Sequence, residues 1–227
     1  MDDTAVVPGR ATAADRFLRL LARLVALAVI AQTVVQLLNL TILDRRIALL
    51  EVESDGSLWA WLSSSAMVVA AAGVALLGLL DGRHRWRLLL LAAILAFLSA
   101  DDILAIHERI SIDELGPIPS PSRIVWILAF TPVLVVALWL LRWWAGTTTH
   151  DIARFVWLGL AMLGGALVLE FTSPILFAID LAKDSVAYKL EVIVEEGLEL
   201  AGTGFLAGAI LAEMLRTGRT WDPATDD

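Results

Sequence analysis

The sequence predicts an all-α fold: a polytopic membrane helix bundle of about six transmembrane helices with both termini in the cytoplasm. Three observations carry this. Of the 227 residues 59% are hydrophobic, where soluble domains run roughly 45–50%, and the mean hydropathy is +0.78. The apolar residues come in blocks of about 20, the length at which a helix crosses a ~30 Å hydrocarbon core. Turn-forming residues separate the blocks: Ser54-Asp55-Gly56, Asp81-Gly82, Gly116-Pro117 through Pro121, and Gly146-Thr147-Thr148-Thr149.

The spans fall at 18–43, 58–80, 86–106, 123–144, 154–179 and 189–215. The first follows a polar stretch and outruns the 7–15-residue apolar core of a signal peptide, so it reads as a retained helix. The second is a pure apolar block between two turns. The third starts on Trp86 and ends in acids. The fourth lies between Pro121 and Gly146. The fifth begins at Arg154, and the sixth opens on an acidic stripe before turning apolar. Residues 1–15 are a cytoplasmic tail, 16–216 a six-helix transmembrane domain and 217–227 a second cytoplasmic tail. No internal repeat is visible.

Basic residues set the orientation. Arg10, Arg16, Arg19, Arg23, Arg83, Arg85, Arg87, Arg142, Arg154, Arg216 and Arg219 fall on one side. Arg45, Arg46, Arg109, Arg123, Lys183 and Lys189 fall on the other. The richer side is cytoplasmic. Trp59, Trp61, Trp86, Trp126, Trp143 and Trp144 lie near span ends, where amphipathic rings anchor.

The absence of cysteine excludes disulfides, zinc–thiolate sites, iron–sulfur clusters and thiol nucleophiles. The net charge of −8, without a basic patch, excludes nucleic acid as a partner. An Ala-, Leu- and Val-rich chain that prefers arginine to lysine has the composition of a high-GC bacterium, which places it in a bacterial inner membrane.

Three spans carry acids that apolar helices rarely hold. The third ends in Ser99-Ala100-Asp101-Asp102, followed by His107-Glu108. The fifth holds Glu170, and the sixth opens with Glu191, Glu195, Glu196 and Glu199. At 1.5 Å per residue these acids share one layer, ~8–15 Å below the outer surface. Gln32, Gln36 and Asn39 stripe the first span in that layer, with Ser63, Ser64 and Ser65 on the second and Thr131 and Pro132 on the fourth. The inner halves are almost purely apolar.

An ionised acid near a span centre costs roughly 2.5–3.5 kcal/mol. Several together must be protonated, hydrated or neutralised by a cation. Clustered carboxylates with one imidazole suit a divalent metal ion of open identity. Asp101, Glu170, Glu195 and Glu199 are the expected core ligands, with His107, Glu108 and Glu196 as further ligands. Asp102, Glu191, Gln36, Asn39 and Ser64 are expected to support them. His84 and His150 read as surface residues. Motifs for serine hydrolases, H-E-x-x-H zinc proteases, phosphate loops and paired E-x-x-H di-iron sites do not occur.

The S-x-D-[DE]…H-E segment at Ser99–Glu108 and the E-E-x-x-E segment at Glu195–Glu199 resemble those of a group of uncharacterised bacterial six-span membrane proteins. The resemblance covers about 25 residues, with Asp102 standing where Glu is expected. It implies six spans and a shared polar site.

The first functional expectation is a cation or metal site in the outer half. It would serve metal-assisted chemistry on a small periplasmic or lipid substrate, or divalent-cation handling. The alternatives are a proton- or cation-coupled transporter whose acids titrate without metal, and a non-catalytic assembly or sensor protein with a structural polar network. The lipid bilayer is a partner in each, and a homo-oligomer is open to all three.

Overall fold

The computed structural model describes residues 12–43, 45–52, 56–104, 106, 122–178 and 185–218, with backbone alone for 122–128 and 171–178. Among the described residues there are six α-helices and no strand: α1 (Ala13–Thr41), α2 (Leu58–Leu80), α3 (Arg85–Leu104), α4 (Ser122–Ala145), α5 (His150–Ala178) and α6 (Val186–Thr217). A short 3₁₀ turn, Ala48–Leu50, lies between α1 and α2.

Local chemistry sets several helix ends. Thr12 caps α1 in a reciprocal box with Asp15: the Asp15 amide donates to the Thr12 hydroxyl and the Thr12 amide to the Asp15 carboxylate. Ser57 and Ser185 accept from amides three residues on and start α2 and α6. At the α2–α3 turn Asp81 accepts from the amides of Arg83 (2.7 Å) and His84 (3.0 Å).

Among the described residues four helices are long and apolar enough to cross a membrane, over Ala13–Thr41, Leu58–Leu80, His150–Glu170 and Val186–Thr217; α4 adds a shorter apolar stretch, Ala129–Ala145. α3 is charged at both ends, by Arg85 and Arg87 and by Asp101 and Asp102. The faces of α1 show which solvent suits it. Its buried residues include Gln32, Gln36 and Asn39. Leu20, Leu24, Leu27, Ile30, Val34 and Leu37 are exposed. A helix that turns amides inward and leucines outward is stable against lipid and unstable against water.

The helix α6 packs on α5, α2 and α1 and is buried along much of its length. Small residues permit this. A Cβ on Gly202 would lie 2.6 Å from Leu163, and one on Gly159 would lie 2.9 Å from the Gly202 carbonyl oxygen. The second tight pair, α2 and α3, is pinned by serines: Ser64 Oγ donates to the Ser99 carbonyl (2.7 Å), and Ser99 Oγ donates to the Ser64 carbonyl (2.9 Å). The apolar core of Leu91, Leu95, Leu140, Val156, Leu206 and Ile210 runs between these pairs.

Neighbouring helices are antiparallel, so the bundle has a basic and an acidic end. At the basic end Arg87 lies over Trp143 (5.1 Å) and Trp139 (5.8 Å). Glu213 also belongs here. It is buried on α6 and takes two hydrogen bonds from Arg216. This half is therefore less uniformly apolar than the sequence suggests, because Arg216 one turn on neutralises the acid.

Candidate functional site

The end of α3 and the middle stretches of α5 and α6 converge on a cavity of about 370 Å³. Asp101 and Asp102 from α3, Glu170 from α5 and Glu199 from α6 line it, with Ser63, Ser99 and Thr203 beside them. Asp101 is buried; Asp102, Glu170 and Glu199 are half-buried. Asp101 and Asp102 are neighbours in sequence, but Glu170 and Glu199 come from two other helices, so tertiary packing brings the three groups together.

The acids gather at one end. The rest of the wall is apolar: Leu95 and Leu98 from α3, Leu134, Leu138 and Leu141 from α4, and Leu160, Leu163 and Leu167 from α5. Phe130 of α4, stacked on Phe97 at 5.5 Å, closes the wall between α3 and α4. Among the described residues the lining contains no lysine, arginine or histidine.

Glu195 and Glu196 stand one turn from Glu199 on α6. They, with Asp102 and Glu170, lie within Coulombic reach of the Glu199 carboxyl. Neither lines the cavity. Five carboxyls in one neighbourhood, in a low-dielectric surrounding, repel one another strongly when ionised. Among the described residues no group of three or more His, Asp or Glu side chains is placed to hold a metal ion directly. His107 and Glu108 lie outside the described residues.

Other expected supporting residues have different positions. Gln36 donates to Glu51 Oε1 (2.9 Å) and accepts from the Val52 amide, while Asn39 donates to the Ile47 carbonyl (3.3 Å). These amides hold the α1–α2 connection, and neither lines the cavity. Ser64 is committed to Ser99. Glu191 is half-buried near the start of α6, outside the cavity lining.

Gln32 stands apart. It is fully buried, and neither Nε2 nor Oε1 has a hydrogen-bond partner. An unsatisfied buried polar group costs about 1–3 kcal/mol. Val29, one turn away on α1, faces Gly197 of α6, so Gln32 sits near the level of Glu195 and Glu196. Buried polar atoms left open in this way are the kind that ordered water answers in folded proteins. The sequence shows Gln32 as one member of a stripe, with nothing to separate it from Gln36.

A family model, "Domain of unknown function (DUF8692)", matches residues 17–212. The chain belongs to the DUF8692 family. The matched stretch contains every cavity-lining residue from Ser63 to Leu206, so the site lies within the DUF8692 unit. Neither a curated protein nor a solved structure matches the chain.

Proposed function

We propose that this DUF8692 protein is a six-span inner-membrane protein of bacterial type, both termini cytoplasmic, that holds a hydrated divalent cation at the acidic end of its cavity. The cation serves metal-assisted chemistry at the extracytoplasmic face. The observation that carries the reading is the convergence of Asp101, Asp102, Glu170 and Glu199, from three helices, on one cavity.

The donor chemistry fits. Carboxylate oxygens suit hard cations, and magnesium in particular keeps several of its waters and takes only one or two carboxylates directly. Spread-out acids around a roomy cavity match that habit better than a closed ligand cage. Glu195 and Glu196 add negative potential without touching the ion. The arginine-rich opposite end supports the orientation.

The apolar shaft beneath the acids favours chemistry over ion passage. A conducting path needs polar stations through the bilayer. Here the lining on the far side of the acids is leucine on three helices.

Elemental analysis and Mn²⁺ titration of purified protein, before and after chelator, test the reading. The expected result is bound divalent metal that chelator removes, with binding weakened about tenfold or more in Asp101→Asn and Glu199→Gln. No metal on the wild type, and no change in either variant, would overturn it. Cation uptake into proteoliposomes would favour a transporter instead.

A further inference from the structure

The chain has three side-chain amides, Gln32, Gln36 and Asn39. All three lie on the buried face of α1, at 0%, 2% and 0% exposure. An amide offers two N–H donors and an oxygen with two lone pairs. Amides buried between membrane helices usually bond the neighbouring helix. Gln36 and Asn39 do bond the α1–α2 connection, but not with every polar atom. Asn39 Oδ1, Glu51 Oε2 and both polar atoms of Gln32 make no hydrogen bond among the described residues. Arg45 Nε stands 3.8 Å from Glu51 Oε2, too far for a direct hydrogen bond.

These open atoms form a column. At 3.6 residues per turn Gln32, Gln36 and Asn39 fall within about 60° of one another around α1. Along the axis Gln32 and Gln36 are ~6 Å apart, and Gln36 and Asn39 ~4.5 Å. One water with two hydrogen bonds of about 2.9 Å bridges groups up to ~6 Å apart.

The column has two ends. At the first, Gln36 and Glu51 share a small void with Arg45, Tyr188, Lys189 and Val192, and the Arg45 side chain is 38% exposed. At the second, Gln32 lies on α1 between Val29, which faces Gly197, and Gln36, which meets Val192 across the void. The stretch of α6 level with Gln32 is therefore 192–197, which holds Glu195 and Glu196.

We propose that Gln32, Gln36, Asn39 and Glu51 hold a file of ordered water. It runs from Arg45 down the buried face of α1 to the level of Glu195 and Glu196. The ligand is water, which when buried makes about three hydrogen bonds to otherwise open polar groups. The file brings water and exchangeable protons to the acid layer from the α1 side. It is separate from the leucine-lined cavity, which none of the three amides lines, and it requires no metal ion.

The test uses the full-length protein, uniformly ¹⁵N-labelled, in lipid nanodiscs. Nuclear magnetic resonance follows transfer of magnetisation from water to the side-chain amides. With two glutamines and one asparagine in the chain, either Gln32→Met or Gln36→Met assigns both glutamine signals. The Gln32 and Gln36 amides are expected to take up magnetisation from water. The backbone amides of Ala70 and Ile210, both fully buried in the apolar core, are expected to stay dry. A Gln32 amide as dry as theirs would overturn the proposal, even with Gln36 and Asn39 hydrated, because the file would then stop short of the acid layer.

Thermal unfolding supplies a second readout by its sign. A dry, unbonded Gln32 would be relieved by a methionine of similar shape, and Tm would rise. A hydrated Gln32 gives the reverse: Gln32→Met is expected to lower Tm by roughly 2–4 °C, the shift for losing about one net hydrogen bond in a chain of this size. A raised Tm would overturn the proposal. If Gln32→Met does not fold, Gln36→Met assigns the signals and the wild-type transfer decides.

Discussion

Gly202→Ala and Gly164→Ala make the same chemical change on neighbouring helices and are expected to act with opposite sign. In a helix interior Gly→Ala gains up to about 1 kcal/mol from propensity alone. At Gly164 the new methyl meets nothing within 4 Å, so that gain is kept. At Gly202 the new Cβ would stand 2.6 Å from Leu163 Cγ and 3.0 Å from the Gly159 carbonyl oxygen. Carbon atoms need about 3.5–4.0 Å, so Leu163 must retreat by ~1 Å or the helices must part. Overpacking of this kind costs about 1–3 kcal/mol.

The propensity term is common to both variants, so their difference isolates the clash at about 1–3 kcal/mol. For a chain of this size that is roughly 2–4 °C in Tm per kcal/mol. Thermal unfolding in one detergent, with both variants side by side, is the assay. Leu163 lines the cavity, so its displacement in Gly202→Ala should also change the cavity's shape. Equal Tm values for the two variants would refute the argument that Gly202 sets the α5–α6 approach.

The Ser64–Ser99 pair gives a second test. Ser64→Ala, Ser99→Ala and the double variant should show a coupling of about 0.6 kcal/mol, up to ~1.7, the range for hydrogen bonds between membrane helices; additive losses in denaturation would show that the two hydroxyls act separately. A third concerns pH. The His84 and Arg83 amides donate to Asp81 and hold its carboxyl below the usual carboxylate range. A depressed folded pKa means that the carboxylate's contribution is present above about pH 4 and fades as pH falls through the folded value. The stability gap between wild type and Asp81→Asn should therefore shrink on acidification. Because the Asp81 side chain is 40% exposed, it should stay within about 1 kcal/mol. A gap that widens below pH 4 would contradict this sign.

Much of the bundle is readable without coordinates. Block length and turn residues place six helices, because a chain that crosses hydrocarbon must satisfy its backbone internally and must be long enough to reach across. The structure gives Ala13–Thr41, Leu58–Leu80 and Val186–Thr217 where the apolar runs lie, and the DUF8692 match covers nearly all of them. The acid layer is readable for a related reason. An Asp or Glu inside an apolar run is visible as a violation of the solvent it sits in, whatever its neighbours are.

Which polar residues act together is a different kind of fact. Gln32, Gln36 and Asn39 form one stripe in sequence, yet two hold the α1–α2 connection and the third is left with an unanswered amide. Glu199 reaches the cavity while Glu195 and Glu196, a turn away, stay outside its lining. Glu213 carries no sequence signal beyond its charge, and the nearby Arg216 settles its role. The shaft is the clearest case. Leu134 and Leu163 line it while Leu20 and Leu27 face outward, and all four are leucines in leucine-rich helices.

Sequence alone therefore determined that this is a membrane-type bundle with an acidic band, since both follow from the solvent each residue prefers. Only the tertiary structure decided that four acids share one cavity with an apolar shaft beneath them. Lipid and protein interior are equally apolar, so hydropathy does not separate a leucine facing lipid from one facing a cavity. That distinction is made by helix packing, through close approaches such as that of Gly159 and Gly202.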